Sequence, residues 1–120
     1  MSIPSDDPSA QELDPLISER AGMDSFLPLL EIYVAGLADQ MGRMDQAIAE
    51  GNDHDLRTQV HQMRGTGGGY GYPDLTRVAS LCEEALVAVG PGGAKDSSVL
   101  AAVEDLRILV RRANLGLGQI

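Results

Sequence analysis

Apolar residues along this chain recur at spacings of three and four, the period of helices laid against a core. Between Asp24 and Glu50 the series Phe26, Leu30, Tyr33, Leu37, Met41, Met44 and Ile48 predicts one long amphipathic helix. Pro28 fits because it falls in the first turn, where a missing N–H loses no partner. Gly51 and Asn52 end that helix, and Asn52 or Asp53 can cap the next. A second stripe runs through Leu56, Val60, Met63, Gly67 and Tyr70. A third uses Leu75, Val78, Cys82, Ala85, Leu86 and Val89, and a fourth uses Leu100, Val103, Leu106, Val110 and Ala113. Gly71, Tyr72 and Pro73 separate the second from the third, and GPGGAKDSS, residues 90–98, reads as a loop ending in capping serines. Neither strand alternation nor an internal repeat is present. The pattern predicts an all-α fold, an antiparallel up-down-up-down four-helix bundle over residues 11–113, with residues 11–20 available for a short extra helix. Residues 1–10 read as a disordered tail and 114–120 as a C-terminal tail that frays.

Composition narrows this picture. At 120 residues the chain makes one domain, and 43% apolar content with only 3% aromatics and no Trp requires an aliphatic core, which suits packed helices. Acidic residues outnumber basic ones 18 to 9, and no basic cluster exceeds Arg111 and Arg112, so the positive footprint that nucleic acid requires is missing. Cys82 is the single cysteine, which excludes an intramolecular disulfide or Cys-cluster zinc site; its place on the third stripe marks a buried structural thiol. The N-terminus, MSIPSDDPSAQELD, is polar and acidic where a signal peptide is basic and then apolar, and no apolar run approaches membrane-spanning length. The expectation is a cytoplasmic protein with no membrane or nucleic-acid partner, either free-standing or a domain excised from a hybrid kinase.

Candidate chemistry gathers in VHQMRGTGGGYGYPDL, residues 60–75. At about 100° per residue, His61 lies roughly 140° from the centre of the second stripe and points out of the bundle. Its own face carries His54, Arg57, Arg64, Gly65 and Gly68, where an ordinary solvent face would carry Glu, Lys and Ala. Each glycine inside a helix costs about 0.8 to 1 kcal/mol relative to Ala. Close packing explains a core glycine such as Gly67, but on the outside a glycine offers bare backbone to an approaching macromolecule. The competing reading ends the helix near Gly65 and makes the remainder a flexible loop. Neutral imidazole is a competent nucleophile near neutral pH. A phosphoryl group on its Nε2 would add negative charge that Arg64, three residues on, can neutralise, with Arg57 a weaker second candidate.

Other constellations are poorer. His54 and His61 share a face but stand about 10.5 Å apart along a helix, too far to share one zinc; His54 reads as solvated or as a minor part of a docking surface. GTGGGYG lacks the spacing and the preceding strand of a nucleotide-binding loop. Glu83 with Glu84, and Glu104 with Asp105, read as solubilising charge.

His61, Arg64, Gly65 and Gly71, with the small residues between them and the Gly-Asn-Asp turn that precedes them, resemble the motif of the histidine-containing phosphotransfer domain over about residues 24–112. The resemblance implies that His61 is the phosphoacceptor and that Arg64 occupies the cationic position, where Lys is more frequent. Gly65 and Gly68 would admit a partner, Arg57 and His54 would border the docking face, and Gly71 would be the small residue at the helix junction. Also implied are response-regulator receiver domains or a hybrid sensor histidine kinase as partners, Mg²⁺ held by the receiver and not by this chain, and a monomeric covalent carrier without ATP-dependent kinase activity. Met63 replaces a usual Leu, and the run Gly67 to Gly69 exceeds the usual small-residue content. The alternative from a different class is a phosphorylation-independent helical adaptor that binds through the same face. The phosphoacceptor region of a sensor kinase is disfavoured because no ATP-binding region follows.

Overall fold

The computed structural model describes residues 14–119. The predicted tail over residues 1–10 and the first part of the predicted helix over 11–20 therefore lie outside the described residues. Four long helices account for most of the rest: α1 (Leu27–Glu50), α2 (Asp53–Thr66), α3 (Pro73–Val89) and α4 (Ser97–Leu117). No strand occurs among the described residues. Consecutive helices pack together and α1 also packs on α4, closing the bundle around one core. At its centre Leu30, Leu37, Met44, Leu56, Met63, Leu75 and Leu106 are fully buried.

The helix ends follow local chemistry. A 3₁₀ turn, Asp24–Phe26, leads into α1, and Pro28 sits in the first helical turn. Gly51 ends α1 in the left-handed conformation at φ 66°, and Asn52 caps α2 by accepting from the Asp55 N–H at 3.1 Å. Asp53 has a different role. Its carboxylate accepts from the Gly92 and Ala94 N–H groups at 2.8 Å each, tying the start of α2 to the α3–α4 connection. That connection contains a second 3₁₀ turn, Gly93–Lys95, and the residue that caps α4 is Asp96, bonded to the Ser98 N–H, instead of the expected serines.

Both ends of the bundle depart from expectation. Residues 14–22 are not helical: the Leu16 N–H donates to the Arg112 carbonyl at 2.9 Å, and the Glu19 N–H to the Gly71 carbonyl at 2.8 Å. Donors that a helix would pair internally are thus used across the molecule, and the segment runs as a strap over α4 and the α2–α3 turn. Arg112 Nε completes the attachment by donating to the Asp14 carbonyl at 2.9 Å. At the other end, α4 continues through most of the predicted tail because Gly116 is buried directly against the Leu16 carbonyl.

The third stripe also needs correction. Val89 is 37% exposed, whereas Glu83, read as surface charge, is only 6% exposed. Cys82 beside it is fully buried as expected, and burial together with the neighbouring Glu83 charge pushes its thiol up to about 11.

Candidate functional site

The buried face of α2 is formed by Leu56, Val60 and Met63, which turns His61 outward with 67% of its side chain exposed. Arg57, four residues before it, and Arg64, three residues after it, rise from the same face. All three reach one group on the neighbouring helix. Glu83 of α3 accepts from Arg64 Nη1 at 2.9 Å and from Arg57 Nε at 3.3 Å, and its two carboxylate oxygens lie 3.1 and 3.0 Å from His61 Nδ1.

The electrostatics of this cluster fix its hydrogens. Arg64 first, then His61 and Arg57, draw the Glu83 carboxyl down from its ordinary 4.5 to about 2 against the opposing effect of burial. An ionised carboxylate can only accept, so Nδ1 carries the proton in the bond to Glu83. In the neutral form of such a ring the lone pair lies on Nε2, the other nitrogen, and among the described residues Nε2 has no hydrogen-bond partner. Glu83 is the member of this cluster that the sequence reading missed. A signal existed: Leu75, Ala79, Glu83 and Leu86 follow helical spacing, and a carboxylate in that core register needs a partner.

α2 ends at Thr66, so the expected continuation of its stripe to Tyr70 is not helical, and Gly68 belongs to the turn that follows. This turn is not a loose loop either. The Gly68 N–H donates to Thr76 Oγ1 at 2.9 Å, the same hydroxyl donates to the Arg64 carbonyl at 2.9 Å, and the Tyr72 N–H donates to the Gly67 carbonyl at 2.8 Å. The glycines divide by role. A Cβ on Gly67 would lie 2.9 Å from Leu75 Cβ, and Gly71 adopts φ +86° while buried against Ser18 Oγ, so packing requires both. A Cβ on Gly65 would meet nothing within 4 Å, and one on Gly68 would make only an ordinary contact with Thr76 at 3.6 Å. Internal packing therefore gives no reason for either.

His54 is exposed and shares a shallow cavity of about 400 Å³ with Arg57, Thr58, His61, Gln62 and Glu83, without bonding to the cluster. A larger groove of about 680 Å³ lies on the other side of His61, between α1 and α2. Its α1 wall includes Leu29 and Ile32, 47% and 71% exposed, beside Gly36; its α2 wall includes His61, Gly65 and Thr66. The sequence reading overlooked the α1 wall, although Leu29, Ile32 and Gly36 have helical spacing off the core stripe. All four aromatic residues close the same end of the bundle, with Tyr33 stacked on Tyr70 at 4.0 Å and flanked by Phe26 and Tyr72.

Together these features define an all-helical domain that presents an exposed imidazole to solvent, backed by a carboxylate and two guanidinium groups. Comparison with protein families agrees: residues 28–114 match the Hpt domain model, and the chain belongs to the Hpt domain family. At the family level this means histidine phosphotransfer in phosphorelays, in which Hpt domains interact with receiver domains and kinases. No curated protein and no solved structure matched the chain. Among the described residues no helix is long and apolar enough to cross a membrane, and no group of three or more His, Cys, Asp or Glu is placed to hold a metal ion.

Proposed function

We propose that this chain is a phosphocarrier in which His61 accepts a phosphoryl group from the aspartyl phosphate of one receiver domain and returns it to the aspartate of another. The observation that carries the reading is the bond from His61 Nδ1 to Glu83, which leaves Nε2 of an exposed ring to act as the nucleophile. In the transfer, Nε2 attacks phosphorus, the N–P bond forms, and the acyl-phosphate P–O bond breaks with its electron pair on the departing carboxylate. Such transfers depend chiefly on positioning and charge stabilisation. Arg64 supplies the charge: it uses Nη1 on Glu83, is half exposed, and has further N–H donors to offer a phosphoryl oxygen.

The receiver provides the remaining machinery, including Mg²⁺. Its approach is accommodated by Gly65 and Gly68, bordered by Arg57 and His54, and extended over the apolar α1 wall at Leu29 and Ile32. The carrier works as a cytoplasmic monomer, and its helices run up-down-up-down, an arrangement supported by the two-residue link between α1 and α2 and by the closure of α1 on α4. A phosphorylation-independent adaptor would use the same groove but would give the bond from exposed His61 to buried Glu83 no part in binding.

The test is transfer from labelled phospho-receivers. Acid-labile, base-stable label should pass to the wild-type chain and not to His61→Gln. A broad receiver panel that binds the chain but never labels it would overturn the carrier in favour of the adaptor.

A further inference from the structure

We infer that Glu83 is a positioning residue for the phosphorylated carrier as well as the free one, holding the proton on Nδ1 of phospho-His61 so that the N–P bond stays ready for hand-over. The inference rests on the phosphocarrier reading of His61.

The leaving group decides how readily the N–P bond breaks. If the phosphorylated ring loses its Nδ1 proton, breaking the N–P bond expels an imidazolide anion; if it keeps the proton, the ring departs as neutral imidazole. The second route is far easier. Glu83 favours it because its carboxylate, 8% exposed and 3.0 Å from Nδ1, places a negative charge opposite that proton. The carboxylate is held in turn by Arg57 and Arg64, and its backbone is anchored between the buried Cys82 and Leu86.

Charge bookkeeping supports the protonated form. A phosphoryl group carries about −2 near neutral pH, and Glu83 adds −1. Arg57 and Arg64 supply +2, so a protonated ring brings the cluster to balance. The other charged and titratable groups bordering His61 are Tyr33, Asp39 and Arg43 from α1, His54 from α2, Tyr70 from the turn, and Glu84 from α3 beside the two arginines. Glu83 alone among the carboxylates of the described residues is bonded to the imidazole.

The same arrangement serves both directions. On acceptance, Nε2 attacks phosphorus and the proton already on Nδ1 stays there. On hand-over, a receiver carboxylate oxygen attacks, the P–O bond forms, the N–P bond breaks with its pair returning to Nε2, and Nδ1 again keeps its proton. No proton need enter or leave the site in either step.

The experiment begins by phosphorylating wild type and Glu83→Gln with phosphoramidate, a small donor that needs no receiver. Nitrogen NMR then follows Nδ1 of phospho-His61 against pH in both proteins and in an unstructured peptide carrying Nε2-phosphohistidine. The wild-type titration midpoint should lie above that of the peptide and above that of Glu83→Gln by about 1 to 3 pH units. At a pH between the two midpoints, chase to a receiver should be at least about tenfold slower from Glu83→Gln and should recover as the pH is lowered, a response that mere misplacement of the ring would not give. Wild-type and peptide midpoints that coincide would overturn the inference even if the variant folds poorly. Phosphohistidine formed at His61 with no difference between wild type and variant would overturn the inference and leave the carrier reading standing, whereas absence of label at His61 would overturn both.

Discussion

At the scale of single residues, His61 is ordinary and its surroundings are not. An exposed imidazole acquires direction because a buried carboxylate occupies one nitrogen, and the carboxylate persists there because two guanidinium groups offset its desolvation. Arg64→Ala should therefore fold but accept phosphoryl groups about 10- to 100-fold more slowly, as expected if it supplies about 1.5 to 3 kcal/mol through a bond to a charged group. Rapid-quench transfer from a cognate phospho-receiver measures this, and an unchanged rate would remove Arg64 from the mechanism. Gly65→Ala supplies a separate check. With open space around the new methyl, the substitution should raise stability by up to about 1 kcal/mol in denaturant titrations, and a loss of stability would mean that the glycine serves internal packing. Gly68→Leu should weaken receiver binding while leaving phosphoramidate labelling of His61 intact.

At the scale of elements, the four helices were legible because apolar spacing alone determines which face of each is buried, and Leu30, Leu37, Leu56, Met63, Leu75 and Leu106 all fall where their stripes put them. What spacing cannot report is where a backbone donor finds its partner. Spacing gives no sign of the 14–22 strap because its bonds run to Gly71 and Arg112, far along the chain, and it ends α4 early because Gly116 looks like a helix breaker until Leu16 is packed on it. Glu83 differs: its register with Leu75, Ala79 and Leu86 marks it as core-facing, but the spacing does not tell that the arginines of α2 lie opposite to offset its charge. The strap joins these elements physically. Ser18 Oγ donates to the Tyr70 carbonyl at 2.6 Å and accepts from the Arg20 N–H, so it pins the turn that follows α2. Replacing Gly71 with Ala should cost at least about 1 to 3 kcal/mol from its backbone conformation alone, with further loss from the contact with Ser18. Thermal unfolding that leaves Gly71→Ala equal to wild type would show that the strap does not constrain the turn.

For the whole molecule, a net charge of −9 surrounds a site whose nearest cations are Arg57 and Arg64, so protonation state matters to stability as well as to function. Because the folded-state carboxyl of Glu83 is depressed from 4.5 to about 2, its contribution to stability is complete above about 4.5 and is lost as pH falls toward about 2. Asp45, depressed by its bond to Arg107 between α1 and α4, acts in the same direction. Unfolding followed by circular dichroism should thus show stability falling across this acid range, with a shallower slope in Glu83→Gln; identical slopes would contradict the pairing. The central claim is nevertheless chemical, that the phosphoryl group resides on Nε2 of His61 while Nδ1 remains with Glu83. The most direct measurement is phosphorus–nitrogen coupling in the nitrogen-labelled chain after phosphorylation by a receiver. Coupling to Nε2 of His61 is the predicted result, and coupling to Nδ1, or a phosphoryl group on any other residue, would contradict the account.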